Sequence, residues 1–208
     1  MSVVVAIKKG DKVYIGADSQ VTRGGTRTTL KNPNNYKIWQ VKGVDHCLMA
    51  HVGMVRDANI VRLMGGIISD YDIYRDIVDY GFVVRRLVPA IISELRGAGF
   101  MKDEQYFTFM ESKYLFAFKD KLYLNNSDGC VIEIDDYVAM GSGEDQAIGS
   151  LLSTEKEDPE IRIVKAIKAS AATDIYVDYP IILTDTDSTE FKVITETDEK
   201  KFLKGEKK

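Results

Sequence analysis

The chain has 208 residues, 45% of them hydrophobic and 29% charged, with a formal net charge of −4. That composition suits one substantial globular domain with a sizeable core. Its acidic balance gives no electrostatic footing for nucleic acid or an anionic membrane surface, and no apolar run approaches the roughly 20 residues of a membrane span.

The chain opens Met1-Ser2, followed by the strongly β-forming run Val3-Val4-Val5-Ala6-Ile7. It shows no basic flank or small-residue cleavage site of a secretory signal. Methionine removal tolerates a residue as small as serine in second place. Ser2 would then carry a nucleophile and a base together: the hydroxyl attacks, and the free α-amine, with a reference pKa of about 7.7–8, takes the proton. The plainer reading is an ordinary chain start before a buried strand over 2–8.

Lys9-Gly10-Asp11-Lys12 reads as a turn and Val13 to Ala17 as a second strand, together a hairpin ended by Asp18. Residues 19–29 form a polar excursion, and Asn32-Pro33-Asn34-Asn35 a turn cluster. Lys37 to Val41 and His46 to Val52 read as strands. His46 and His51, at odd spacing, point to opposite faces of the second, so a surface and a core histidine are expected rather than a shared metal. Cys47 and Cys130 lack CxxC spacing, which argues against a zinc site or disulfide framework and fits a reducing cytoplasm.

The period then becomes helical over 56–64, ended by Gly65-Gly66, and again over 78–95 with a kink expected at Pro89. Residues 67–77 are mixed. Short strands are predicted at 106–110, 114–118, 122–124, 131–134 and 137–140, the last leading into Gly141-Ser142-Gly143. Helices follow over 144–152 and from Asp158-Pro159 to about 172, where an N-cap precedes a first-turn proline. Strands at 181–183 and 191–194 complete residues 1–196 as a single domain, and 197–208 reads as a frayed charged tail. The order is strands, two helices, strands, two helices, strands. With short turns, it predicts an α+β fold of two mostly antiparallel sheets packed face to face, with helices outside: a four-layer αββα sandwich.

Taken together, these features resemble a proteasome β-type subunit, and most of all the bacterial protease subunit of the HslV (ClpQ) kind, an N-terminal-nucleophile hydrolase. The resemblance rests on Ser2 before the first strand, Gly16-Ala17-Asp18 ending the second, and Lys37-Ile38-Trp39 opening the next. The polar Ser19-Gln20 after Asp18, Gly53 four residues before Asp57, and Gly141-Ser142-Gly143 before a helix with small residues complete it. Each piece alone has an ordinary account as a turn, a solvated lysine or a loop. The resemblance implies catalytic roles for Ser2, Asp18, Lys37, Gly53 and Ser142. Ser2 attacks, Lys37 lowers the pKa of its hydroxyl and amine, Asp18 orients Lys37, Gly53 N–H binds the oxyanion, and Ser142 supports the amine.

Two departures stand out. Serine replaces the family's usual threonine, with less χ1 restraint. The segment Ser170 to Val177 also lacks the Asp and Ser that support the nucleophile at three-residue spacing. Ser170, Thr173 and Asp174 take the supporting places, and the carbonyls of Ala171, Asp174 and Val177 are the counterparts of a cation-binding loop, with no cofactor required for the chemistry. The implied function is a self-compartmentalising peptidase acting on peptides or unfolded proteins as a homo-oligomeric ring, with a possible ATPase partner. The alternatives are a non-catalytic ring subunit and an amidase acting on small amides.

Overall fold

Alternation along the first strand organises the architecture. In β1 (Val3–Lys9), Val3, Val5 and Ile7 face a layer containing Ala147, Leu151, Ile163 and Ile167. Val4 and Ala6 face the other way, onto Leu48, Ala50, Leu115 and Ala117. A strand buried on both faces reads as a continuous apolar run, which is what residues 3–7 are. The computed structural model describes residues 2–104, 107–188 and 190–205.

Along the chain follow β2 (Lys12–Ala17), β3 (Gln20–Arg23), β4 (Thr26–Thr29), β5 (Ile38–Gln40) and β6 (Cys47–Val52). Then come α1 (Val55–Leu63), α2 (Asp70–Tyr74), α3 (Tyr80–Phe82), a π turn (Val83–Leu87) and α4 (Val88–Gly97). Five strands succeed them: β7 (Met101–Glu104), β8 (Phe107–Met110), β9 (Lys113–Phe118), β10 (Lys121–Asn125) and β11 (Val131–Glu133). The chain ends with β12 (Tyr137–Gly141), α5 (Glu144–Ser153), α6 (Pro159–Ala171), β13 (Ile181–Asp185), β14 (Lys192–Ile194) and α7 (Glu196–Leu203).

One sheet has the order β12-β1-β2-β13-β14 and the other β11-β10-β9-β6-β5, antiparallel throughout. Helices α5 and α6 cover the first sheet. The α1 and α4 helices cover the second, over Trp39, Met49, Tyr114 and Phe116. This is the expected αββα sandwich. Val3, Val4 and Val5 are fully buried, and each contributes roughly 1.5–3 kcal/mol of apolar burial.

Several local expectations are corrected. The polar excursion 19–29 folds into the β3–β4 hairpin. The mixed segment 67–77 contains α2, started by a capping box in which Ser69 and Asp72 satisfy each other's backbone N–H. The helix expected over 78–95 runs as α3, the π turn and α4, and the irregularity expected near Pro89 is taken up by the π turn directly before it. Tyr106, assigned to a strand, lies outside the described residues; β7, unforeseen, pairs with β8.

His46 precedes β6 with φ +58° and is exposed, while His51 is buried between Trp39 and Tyr114. The tail is not frayed over its described part. Thr195 caps α7, Phe202 and Leu203 pack on the core, and buried Glu199 accepts from Lys168 Nζ at 2.6 Å and from the Tyr179 hydroxyl. Charged residues hid an apolar stripe of only two positions.

Candidate active site

Ser2 lies at the head of β1, between the start of α5 and the end of β2. It is 5% exposed. Its N–H donates to Ser142 Oγ at 3.1 Å, and its carbonyl accepts from Gly143 N–H at 3.4 Å. Gly141 makes the approach possible. It has φ +112°, and a Cβ there would stand 2.1 Å from Ser2 O. No side chain fits that turn. Glu144, at the start of α5, accepts from Gly141 N–H at 3.2 Å and holds the turn's other edge.

Asp18 stands where β2 ends. Its Oδ1 accepts from Val3 N–H at 2.9 Å and from Lys37 Nζ at 2.6 Å, and its Oδ2 accepts from Gln20 N–H at 2.9 Å. Lys37 also donates to Gln20 O at 2.7 Å. Both members of the ion pair are buried. The hydrogen-bond chain thus runs from the Lys37 ammonium through one carboxylate oxygen to the amide directly after Ser2. Burial pulls the Lys37 pKa below its ordinary value, and the nearby Asp18 and Asp174 carboxylates oppose that shift. An ammonium so placed raises the local positive potential at a modest proton affinity.

Gly53 directly follows β6 with φ +122° and shares an open cleft of about 370 Å³ with Gly141, Ser142, Glu144, Ser112 and Lys113. At the end of α6, Ser170 is buried and donates to Gly143 O at 2.7 Å, fixing the turn that carries Ser142. Asp174 Oδ1 accepts from Tyr176 N–H at 2.9 Å, Asp174 O accepts from Val177 N–H at 3.1 Å, and buried Asp174 Oδ2 has no hydrogen-bond partner among the described residues.

The expected residues Ser2, Asp18, Lys37, Ser142 and Ser170 therefore join in one hydrogen-bonded group around β1, and Gly53 opens onto the same cleft as Ser142. Thr173 is the exception: its side chain is exposed, so it does not belong to the supporting shell, and its amide serves the turn by donating to Ser170 O. Ala171, Asp174 and Val177 all lie along the loop after α6. No group of three or more His, Cys, Asp or Glu side chains suited to a metal occurs among the described residues. The sequence assigns no role to Gln20, which reaches both members of the ion pair through its backbone, or to Glu144. Gln20 lies two residues after Asp18 and Glu144 directly after Gly143, positions that carry no compositional signal.

The sequence profile described as "Proteasome: Proteasome subunit" matches residues 2–176. None of the curated protein sequences matches the chain. Among solved structures, "Thiobacillus denitrificans BPH" superposes with a TM-score of 0.69 at 16% identity, covering 93% of this chain and 99% of that one. Eukaryotic HslV from Trypanosoma brucei gives 0.62 at 18% identity, covering 88% and 98%. Anbu from Hyphomicrobium sp. strain MC1 gives 0.67 at 14% identity, covering 98% and 92%. At these identities the likeness is one of fold.

Proposed function

This chain belongs to the proteasome subunit family, and from that premise we propose that it is a peptidase whose nucleophile is the hydroxyl of Ser2, exposed by removal of Met1. The observation that carries the proposal is the run Lys37–Asp18–Val3, which links a buried ammonium through one carboxylate to the amide directly after the residue that would attack. The nitrogen that now donates to Ser142 Oγ would become the α-amine. It accepts the hydroxyl proton, directly or through a water, as Ser2 Oγ adds to the substrate carbonyl. The Lys37 charge favours the alkoxide and keeps the amine largely unprotonated near neutral pH. The Gly53 N–H receives the oxyanion, a contribution worth on the order of 10²–10³ in rate. The protonated amine then returns its proton to the leaving amine, and water releases the acyl group from Ser2.

A cation held by the carbonyls of Ala171, Asp174 and Val177 is part of the same reading; what supports it is the buried Asp174 Oδ2 in that loop, which has no hydrogen-bond partner among the described residues. When bound, the ion would supply charge balance to that loop; the chemistry above does not need it. Assembly into a homo-oligomeric ring, feeding by an ATPase and a cytoplasmic location belong to the same proposal. Among the described residues no helix is long and apolar enough to cross a membrane.

The test is hydrolysis of a panel of fluorogenic peptides and small amides by the wild type and by Ser2→Ala. Peptide turnover that disappears in Ser2→Ala supports the proposal. Turnover unaffected by the change refutes it, and turnover of small amides alone gives the amidase reading instead.

A further inference from the structure

We propose that Ser112 and Asp57 form a brace that aims the Gly53 peptide at the reacting carbonyl, which makes them positioning residues for the reaction proposed above, on which this inference rests. The β6–β9 register ends with Val52 opposite Lys113, so Gly53 emerges against the Glu111–Ser112 bend. There it is pressed close: a Cβ on Gly53 would stand 2.4 Å from Glu111 O and 2.7 Å from Ser112 Cα. One side of the Gly53 unit is thus fixed by backbone contact. The other side is the peptide linking it to Met54. Met54 is 45% exposed and, as the N-cap of α1, has no side chain able to cap.

Ser112, packed against Gly53, satisfies the N–H of Met54 itself. Its Oγ accepts from Met54 N–H at 3.0 Å and donates to Asp57 Oδ2 at 2.9 Å. Asp57 is fully buried in the first turn of α1, where a carboxylate also suits the helix dipole. Arg56 Nε lies 3.5 Å from its Oδ1, and Arg56 also pairs with Glu111, closing a ring of contacts around the Gly53 turn. A hydroxyl with its proton committed to Asp57 turns a lone pair toward Met54. That polarity needs an acceptor at position 57 and is lost with alanine at 112. The same contacts cap the start of α1, so the kinetic readout below, and not stability, separates positioning from capping.

Ser112→Ala and Asp57→Asn are compared with the full-length wild type on the peptide substrate of the previous section, at equal folded fraction by thermal unfolding. We expect kcat to fall about 10- to 100-fold for Ser112→Ala with KM within about threefold of wild type, and kcat to fall less for Asp57→Asn, which keeps an acceptor for the hydroxyl. A KM rise with kcat intact, or kcat within twofold of wild type, overturns the brace while leaving the peptidase standing. No turnover by the wild type overturns the peptidase reading and the brace's role with it. Should both variants misfold, amide hydrogen exchange at Met54 in the wild type decides. Protection of tenfold or more is expected, and exchange at the rate of an unstructured amide overturns the brace.

Discussion

Replacing Lys37 with methionine tests the buried pair at the centre of the site. The side chain keeps most of its apolar length, so packing is largely preserved, and the charge disappears. What remains is Asp18, 1% exposed, with two backbone N–H donors and no cation. Removing one partner of a buried pair costs about 3–5 kcal/mol, because the other charge stays buried. The Val3 and Gln20 amides go on stabilising the carboxylate, so the cost should fall at about 3 kcal/mol. For a domain of this size that corresponds to a drop in Tm of roughly 6–12 °C.

Turnover should fall further than stability accounts for, by about 10²–10⁴-fold at a temperature where the variant is folded, since the charge that activates Ser2 has gone. Differential scanning fluorimetry and peptide hydrolysis read the two effects separately. A variant with wild-type Tm would show that the ion pair is not buried as described. A lower Tm with undiminished turnover would show that Lys37 supports the fold and leaves Ser2 alone.

Other outcomes follow from the same geometry. Gly141→Ala drives a Cβ into Ser2 O; a displacement of about 1 Å should cost on the order of 10²-fold in kcat, and wild-type kinetics would deny that this turn positions Ser2. His51 titrates near pH 3 in the folded protein, because of burial first and then the Lys37 and Arg62 charges. Its folded pKa lies below the unfolded value of about 6.5, so the unfolded state binds more protons as pH falls from 6.5 toward 3. Stability is lost over that window, by about 2 kcal/mol at pH 5. His51→Phe should flatten the difference in Tm between pH 7 and pH 5, and an unchanged difference would place the acid sensitivity elsewhere. Truncation after Thr195 removes the Glu199 contacts to Lys168 and Tyr179 and the Phe202 packing, and should lower Tm by several degrees; no change would mean that α7 is an ornament in solution.

Much of the fold is legible in the sequence because both faces of the central strands are apolar and the helical periods are clean. Val3 to Ile7 and Tyr114 to Phe118 could only be interior strands. What stayed hidden is held by polar groups that leave no apolar period: the Ser69–Asp72 capping box, the backbone ladder of the β3–β4 hairpin, and α7 with its buried Glu199 bonded to Lys168 and Tyr179. The site divides the same way. Asp18, Lys37 and Ser142 stand at element ends marked by glycines and charge, so their positions could be read. Ser112 sits in a short bend between β8 and β9, and Gln20 acts on the ion pair through its backbone. Neither carries a pattern, and only the folded geometry relates them to Ser2.

The proposed activity turns on the chemical state of one atom, the nitrogen of residue 2. The direct measurement is the mass of the N-terminal proteolytic peptide, before and after incubation with a peptide epoxyketone, an electrophile that a neighbouring hydroxyl and free amine capture together. Met1 is expected to be absent and the adduct to sit on Ser2, with none on Ser2→Ala. A peptide that still begins with Met1, carrying no adduct, would leave the fold intact and take the enzyme away.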